Sequence, residues 1–172
     1  MTFLKRLFSN PRERLRPLYD AVVAEGRDPF WYRDGGVPDT VDGRFDMIAS
    51  VLAVVLLRLE AGGAAAEAES VMLTELFIDD MDGTLRQVGI GDVVVGKHVG
   101  KMLGALGGRL GAYRDALAGS GDLGEAVRRN IFRDSPPSEE AVAIVAERLR
   151  RLHEKLGTAP VEPILAGELP QP

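Results

Sequence analysis

The stretch Met47–Leu57, with the sequence MIASVLAVVLL, is apolar on nearly every side and is interrupted only by Ser50. A helix without a polar face has to be surrounded by protein or by lipid. This stretch is too short for lipid, because a hydrocarbon core about 30 Å thick needs about 20 apolar residues in a helix. We therefore predict that a helix beginning between Thr40 and Asp42 and ending at Glu60 forms the buried centre of a folded domain.

Helical patterns continue on both sides of this central helix. Apolar residues recur with the spacing of one helical face, and Gly or Pro residues end most of the runs. The predicted helices cover residues 11–26, 40–60, 64–85, 92–118, 123–132 and 138–157. The sequence thus predicts an all-α, single-domain bundle of about six helices. The domain covers residues 11–157, between a short N-terminal arm at 1–10 and a Pro-rich, extended or disordered tail at 158–172.

The composition of the 172-residue chain argues against several kinds of active site. The chain contains no cysteine, which excludes disulfides, thiolate zinc sites and cysteine nucleophiles. His98 and His153 are the only histidines, so we predict neither a metal site nor a cofactor. A net charge of −5 argues against nucleic-acid binding, because that function needs a basic surface.

The charge is unevenly distributed along the chain. Residues 1–16 carry five cations and one carboxylate, a net charge of +4, which leaves −9 for the remainder. The N-terminal arm lacks the apolar core and cleavage site of a secretory signal. Its mixture of apolar and basic residues is typical of contact with an anionic membrane, although packing against the domain is an equal alternative. The membrane-contact candidates are Phe3, Leu4, Lys5, Arg6, Leu7 and Phe8.

Glycines recur at every fourth position in the predicted helix over 92–118. They are Gly96, Gly100, Gly104 and Gly108. Each glycine inside a helix costs about 1 kcal/mol relative to alanine. Such a face indicates tight packing within the chain, a groove for a partner's helix, or a conformationally soft helix.

Two stretches resemble phosphate-handling motifs. Asp80–Leu85, with the sequence DMDGTL, matches the signature of haloacid-dehalogenase-type phosphotransferases, in which the first Asp attacks phosphorus. Gly91–His98 is one residue short of a phosphate-binding loop, because His98 replaces the hydroxyl residue. Neither stretch follows a predicted strand. A phosphatase that uses Asp80 and Asp82 is therefore kept only as an alternative.

Acidic residues cluster at Asp39, Asp42 and Asp46, and again between Asp79 and Asp82. Helix capping and salt bridges to Arg44 and Arg86 explain such clusters, and a recognition surface for a basic partner is the alternative. Oxygen-only cation sites are usually carried on loops, so we predict no metal at either cluster.

A series of motifs in the middle of the chain carries a more specific signal. Gly36–Asp46, with the sequence GVPDTVDGRFD, is followed by Asp80–Asp82, Leu85–Arg86, Gly89–Asp92 and Val95–Lys97. In order and spacing this series resembles the ubiquinol–cytochrome c chaperone family, over residues 15–120. The sequence departs from the family pattern at Ala49–Ser50, where a His and more polar character are expected, and at His98, where a basic residue is usual.

The resemblance implies an all-α assembly factor that is not an enzyme. It implies that the client is cytochrome b or its nascent chain, handled around synthesis and haem loading of the respiratory ubiquinol–cytochrome c reductase. It also implies a small second chaperone subunit as partner, and a place in the bacterial cytoplasm at the inner face of the plasma membrane. A haem-handling protein, with His98 or His153 as axial ligand, remains an alternative.

The charge pattern suggests how such a client is recognised. Cytoplasmic loops of membrane proteins are rich in Lys and Arg, so we expect the body of charge −9 to attract them. The expected binding surface is polar, with an apolar groove beside it. Its candidate residues are Trp31, Tyr32, Asp39, Asp42, Arg44, Phe45, Asp46, Asp80, Asp82, Arg86, Asp92 and Lys97.

Overall fold

A computed structural model describes residues 11–87, 92–133 and 135–172. Every regular element in these ranges is helical, which confirms the predicted all-α class. The α-helices are α1 (Arg16–Gly26), α2 (Pro29–Arg33), α3 (Val41–Glu60), α4 (Ala64–Gln87), α5 (Asp92–Leu117), α6 (Leu123–Val127), α7 (Glu139–Thr158) and α8 (Val161–Leu165). A 3₁₀-helical turn at Pro11–Leu15 leads into α1, and a π-helical turn at Arg128–Phe132 follows α6.

Helix α3 is the centre of the bundle, as predicted. It begins where Thr40 Oγ1 accepts a hydrogen bond from the N–H of Gly43 at 3.1 Å. The stretch Met47–Leu57 is buried, and α1, α4, α5 and α7 pack around it. Ser50 donates a hydrogen bond to the Asp46 carbonyl oxygen at 2.7 Å and accepts one from the Tyr113 hydroxyl at 3.0 Å. Its hydroxyl therefore keeps partners inside an apolar core.

Helix α2 was not predicted, because its five residues lie in a segment rich in Pro and Gly. The Asp28 carboxylate caps it by accepting a hydrogen bond from the N–H of Phe30 at 2.8 Å, and Pro29 occupies the first helical position. Trp31 is fully buried, and its indole N–H donates to the carbonyl oxygen of Glu25 at 2.7 Å. Trp31 was a candidate for client contact, and the structure corrects this, because the ring is part of the core.

Helix α7 packs along one side of the central helix. Its N-terminus is capped by Ser138, and its buried stripe contains Val142, Val145, Leu149, Leu152 and Leu156. Arg148 on α7 pairs with Glu25 at 2.9 Å and Asp28 at 2.8 Å. The same guanidinium lies over the rings of Phe30 and Trp31, 4.4 Å and 4.6 Å from the ring centroids. The corner between α1 and α2 is thus tied to α7 by charge as well as by packing.

The Pro-rich tail differs from the extended or disordered segment that its composition predicts. Residues 161–165 form α8, in which the Ile164 side chain is fully buried. Gly167 has a φ of +92°, and a Cβ there would lie 2.6 Å from the Pro17 carbonyl oxygen. The tail therefore packs against α1. Pro160 and Pro163 do not prevent α8 from forming, because they fall at its start, where a helix tolerates proline.

The N-terminal arm lies outside the described residues. Its membrane-contact candidates Phe3, Leu4, Lys5, Arg6, Leu7 and Phe8 therefore stay predictions. Within the described ranges, no helix is both long enough and apolar enough to cross a bilayer.

Candidate functional site

An open groove of about 510 Å³ runs along α3, α4 and α5. Helix α3 contributes the apolar residues 41, 45 and 48 and the charged residues 42 and 44, and α5 contributes 98, 101, 102 and 105. The apolar set of α3 and the set of α5 follow the spacing that places side chains on one face of a helix. The apolar residues of the groove are Val41, Phe45, Ile48, Met81, Met102 and Ala105.

The groove has a packed floor and an exposed apolar edge. The ring of Phe45 packs against that of Phe77, with centroids 5.7 Å apart, and Met81 from α4 is nearly buried beside it. Val41, in contrast, is 79% exposed at the mouth, in the first turn of α3. An apolar partner bound here would therefore cover apolar surface that is exposed to solvent, and the core residues would not have to move.

The rim of the groove is mainly cationic. Arg27, Arg44, Lys101 and Arg133 line it, and Asp42 is the acidic residue among them. Arg44 forms an exposed salt bridge with Asp39, Nε to Oδ1, at 2.7 Å. This hydrogen bond lowers the pKa of the Asp39 carboxyl. The predicted salt bridge between the first acidic cluster and Arg44 is thus present.

A second cavity of about 400 Å³ adjoins the groove and shares Arg27 and Arg44 with it. Its other lining residues are Pro29, Tyr32, Arg33 and Asp39, and we call it the arginine cleft. The Tyr32 hydroxyl donates a hydrogen bond to the Gly26 carbonyl oxygen at 2.7 Å, and burial raises the pKa of Tyr32 to about 12. The ring therefore serves as a fixed, neutral wall between arginines.

A buried ion-pair network lies beside the groove. Asp46 and Arg109 are each 1% exposed, and Arg109 donates to Asp46 Oδ1 at 2.8 Å. Arg133 donates to the same oxygen at 2.5 Å and holds a φ of +47°, which is unusual for a residue other than glycine. Burial raises the pKa of the Asp46 carboxyl, and the two guanidinium groups oppose that rise. The network joins α3, α5 and the π-helical turn.

The structure divides the acidic candidates into exposed and structural residues. Asp46 is enclosed by its arginines, so its proposed role in direct client contact is corrected. Asp80 is partly buried and accepts a hydrogen bond from the Tyr19 hydroxyl at 2.8 Å. Asp39 and Asp42 remain exposed beside the groove, and Asp82 is half-buried on α4. The expected single acidic cluster is therefore spread over different environments.

The basic candidates are likewise separated. Arg44 lies on the rim, whereas Lys97 is exposed on α5 outside the groove lining. The side chains of Arg86 and Asp92 lie outside the described part of the structure. Among the candidates, the groove and the cleft bring together Tyr32, Asp39, Asp42, Arg44 and Phe45.

The repeated glycines Gly96, Gly100, Gly104 and Gly108 do not line the groove, although Gly100 and Gly104 directly precede the groove residues Lys101 and Ala105. A Cβ added at any of the four glycines would meet no atom of the described residues within 4 Å. The described part of the structure therefore gives no support to tight packing within the chain, the first of the three interpretations. A partner's helix and a soft helix stay open.

The structure argues against the phosphatase alternative, whereas haem handling stays an alternative interpretation. Asp80 and Asp82 lie inside the continuous helix α4, whereas phosphoryl transfer of this type needs them on a loop after a strand. His98 lines the groove, and His153 lines a different cavity with Leu57 and Glu60. In the described ranges, no group of three or more His, Asp or Glu side chains is placed to hold a metal ion.

Several lining residues escaped the sequence analysis. Ile48 was assigned only to the core. Lys101 and Met102 were not selected, because Gly100 and Gly104 on either side of them interrupt the side-chain pattern of this helix. The spacing of 98, 101, 102 and 105 is the signal that could have identified this face of α5. Arg27 and Arg133 reach the rim from distant segments, and nothing local in the sequence indicates it.

Comparison with known proteins gives a consistent result. The family model described as ubiquinol-cytochrome C chaperone matches residues 33–170. Among solved structures, the crystal structure of the Cbp3 homolog from Brucella abortus is similar to this chain, with a TM-score of 0.80 and 28% sequence identity. The match covers 96% of this chain and 92% of that one. A search of curated proteins gives no match.

Proposed function

The chain belongs to the ubiquinol–cytochrome c chaperone family, and we propose on that premise that it is a non-catalytic assembly chaperone for the ubiquinol–cytochrome c reductase. Its client in this proposal is cytochrome b or the nascent cytochrome b chain. The observation that carries the proposal is the groove along α3, α4 and α5, which has partly buried apolar walls and leaves Val41 exposed at its mouth. Exposed apolar surface in a groove with a polar rim is typical of a site for another protein.

The shape of the groove supports binding of a helical segment. Its apolar side chains come from parallel rows on neighbouring helices, so they present a long apolar surface and not a closed pocket. Amphipathic or apolar helices bind such grooves through residues at i, i+3, i+4 and i+7. A membrane subunit exposes segments of this kind before it is inserted and folded.

The proposal also includes the surroundings of the chaperone. We place it at the inner face of the bacterial plasma membrane, where the basic N-terminal arm contacts anionic lipid. A small second chaperone subunit completes the set of proposed partners. In this proposal the acidic body of net charge −9 attracts Lys- and Arg-rich loops of the client, because Asp39 is already paired with Arg44 and Asp42 lies on a mainly cationic rim.

The test is affinity capture of cytochrome b from membranes of the native host. The full chain serves as bait, as wild type and as the double variant Val41→Glu/Met102→Glu, which places charge inside the groove. Val71→Glu is the matched control, because Val71 is 54% exposed on α4 and does not line the groove. Circular dichroism and thermal melting establish that the variants are folded.

We expect wild type and Val71→Glu to retain cytochrome b and the groove variant to lose it. Equal capture by all the folded proteins would place the client elsewhere on the surface. Absence of cytochrome b from the wild-type capture, with the bait folded and membrane-accessible, would contradict the proposed client.

A further inference from the structure

We infer that the arginine cleft is an anion subsite that receives acidic residues flanking the apolar segment bound in the groove. The inference rests on the proposed function and specifies the chemistry of the occupant: a helix with one apolar face and a cluster of carboxylates at one end. The cleft and the groove share Arg27 and Arg44, so one ligand that spans both would contact these two arginines.

Charge at this surface is opposite in sign to that of the protein body. In the described part of the chain, no carboxylate forms a salt bridge with Arg27, Arg33 or Lys101. Asp39 pairs with Arg44 and Asp46 pairs with Arg133, so neither carboxylate forms a salt bridge with the other three cations, although the charge of Arg33 contributes to the lowered pKa of Asp28. Asp42 is the remaining acidic residue of the lining. A Lys- or Arg-rich segment is therefore repelled here, and a carboxylate is attracted.

The cations of the cleft are held on a rigid backbone. Arg27 follows the last turn of α1, with its N–H bonded to the Val23 carbonyl oxygen at 3.1 Å. Arg33 ends α2, which is fixed by the buried indole of Trp31. Guanidinium groups on fixed supports bind planar carboxylates with two parallel hydrogen bonds, and less side-chain freedom is lost on binding.

Continuity with the groove favours a peptide carboxylate over a lipid phosphate. The apolar surface extends along α3 and α5 at helical spacing, which matches rows of side chains on a facing helix. An acyl chain has no such periodicity. A lipid headgroup in the cleft is the competing outcome, and the experiment below separates it.

The test measures binding of fluorescently labelled helical peptides to the full chain by anisotropy. Two peptides share one apolar face and differ only in a terminal cluster, which is Glu in one and Lys in the other. The protein variants are Arg27→Gln/Arg33→Gln and the control Arg150→Gln/Arg151→Gln. The control removes the same charge from exposed positions of α7, outside both cavities of the site.

We expect the Glu peptide to bind wild type and the control more tightly than the Lys peptide does, with an advantage that shrinks as salt is added. An exposed ion pair changes affinity about 1.5- to 5-fold, so loss of two pairs in Arg27→Gln/Arg33→Gln weakens the Glu peptide about 2- to 30-fold. The Lys peptide should bind this variant no more weakly than it binds wild type.

Equal binding of the two peptides, or tighter binding of the Lys peptide, overturns the inference. So does loss of binding to anionic vesicles in Arg27→Gln/Arg33→Gln with the peptide preference unchanged, since that result assigns the cleft to lipid. Failure of the inference is distinguishable from failure of the proposed function. If Val41→Glu/Met102→Glu abolishes peptide binding and cytochrome b capture while the arginine variant changes neither, the groove stands and the anion subsite falls.

Discussion

Replacing glycines on the outer face of α5 with alanine is expected to stabilise the protein. Gly100, Gly104 and Gly107 are exposed, and a Cβ added at each would meet no atom of residues 11–87, 92–133 or 135–172 within 4 Å. Alanine in a helix interior is favoured over glycine by about 0.5–1 kcal/mol, mainly because it restricts the unfolded chain. The triple variant should therefore gain about 1.5–3 kcal/mol in free energy of unfolding.

The gain can be measured by urea denaturation followed by circular dichroism. The midpoint should rise while the slope stays constant, because the surface exposed on unfolding changes little. For a chain of this size each kcal/mol shifts the melting temperature by about 2–4 °C, so the triple variant should melt about 3–12 °C higher.

Gly43→Ala is the matched control for this substitution. Gly43 also lies in a helix, but a Cβ there would be 2.0 Å from the Pro38 carbonyl oxygen. The backbone must move to admit it, so we expect a loss of about 1–3 kcal/mol. Opposite signs for the same chemical change would show that local space decides the outcome.

The reasoning would be refuted if the triple variant were no more stable than wild type. That result would mean that the outer face of α5 is covered in solution, for example by self-association, which light scattering would detect. Amide hydrogen exchange tests the soft-helix interpretation separately. Amides of residues 96–107 should exchange more slowly in the triple variant, and unchanged exchange would argue against a soft α5.

Further predictions concern buried charges. Asp46→Asn should lower the free energy of unfolding, measured by urea denaturation, by about 3–5 kcal/mol, because it removes the charge that compensates the buried Arg109. The control Asp39→Asn, at an exposed ion pair, should have the same urea midpoint as wild type. Arg148→Ala should lower the free energy of unfolding by about 3–5 kcal/mol, because it leaves the buried Glu25 carboxylate without its partner. This loss should become smaller as the pH falls, because burial raises the pKa of Glu25 and protonation neutralises the unpaired carboxylate. Burial lowers the pKa of His153, whose Nδ1 lacks a hydrogen-bond partner in the described structure. As the pH falls, His153 is therefore protonated in the unfolded chain before it is protonated in the folded protein. The free energy of unfolding should therefore fall as the pH drops below about 6.5, and this pH dependence should be weaker in His153→Leu. An equal pH dependence in wild type and His153→Leu would contradict the prediction.

Most of the fold was predictable because long helices announce themselves through periodicity and caps. The bounds of α3, α5 and α7 agree with the predicted ranges to within a few residues. The short helices α2 and α8 were missed, since five residues are too few for a periodic signal and both contain proline. In each case proline lies near the N-terminus of the helix, where its missing N–H costs nothing.

The site was less predictable because its decisive contacts are long-range. Asp39, Asp42 and Arg44, chosen from a local motif, are exposed, and their role in client binding stays a prediction. Asp46 belongs to the same motif but is buried by Arg109, which lies 63 positions further along the chain. Asp46 directly precedes the apolar stretch Met47–Leu57, so local sequence favours its burial over that of Asp42 but does not identify its partner. That partner comes from across the bundle, where it satisfies the buried carboxylate.

Net charge was a poor guide to the groove for a related reason. At physiological salt the field of an exposed charge is screened within about 8 Å, so a ligand in the groove responds to the rim and not to the body of charge −9. Under the proposed function the two fields would act at different stages of binding. The acidic body would raise the rate of encounter with basic client loops, most strongly at low salt, where screening is weak. The proposed anion subsite in the arginine cleft would act only on contact, where it would favour acidic flanks and so select one orientation of the bound segment. A client with basic loops and an acidic end would satisfy both fields at once, and reversal of its charges would weaken each stage separately.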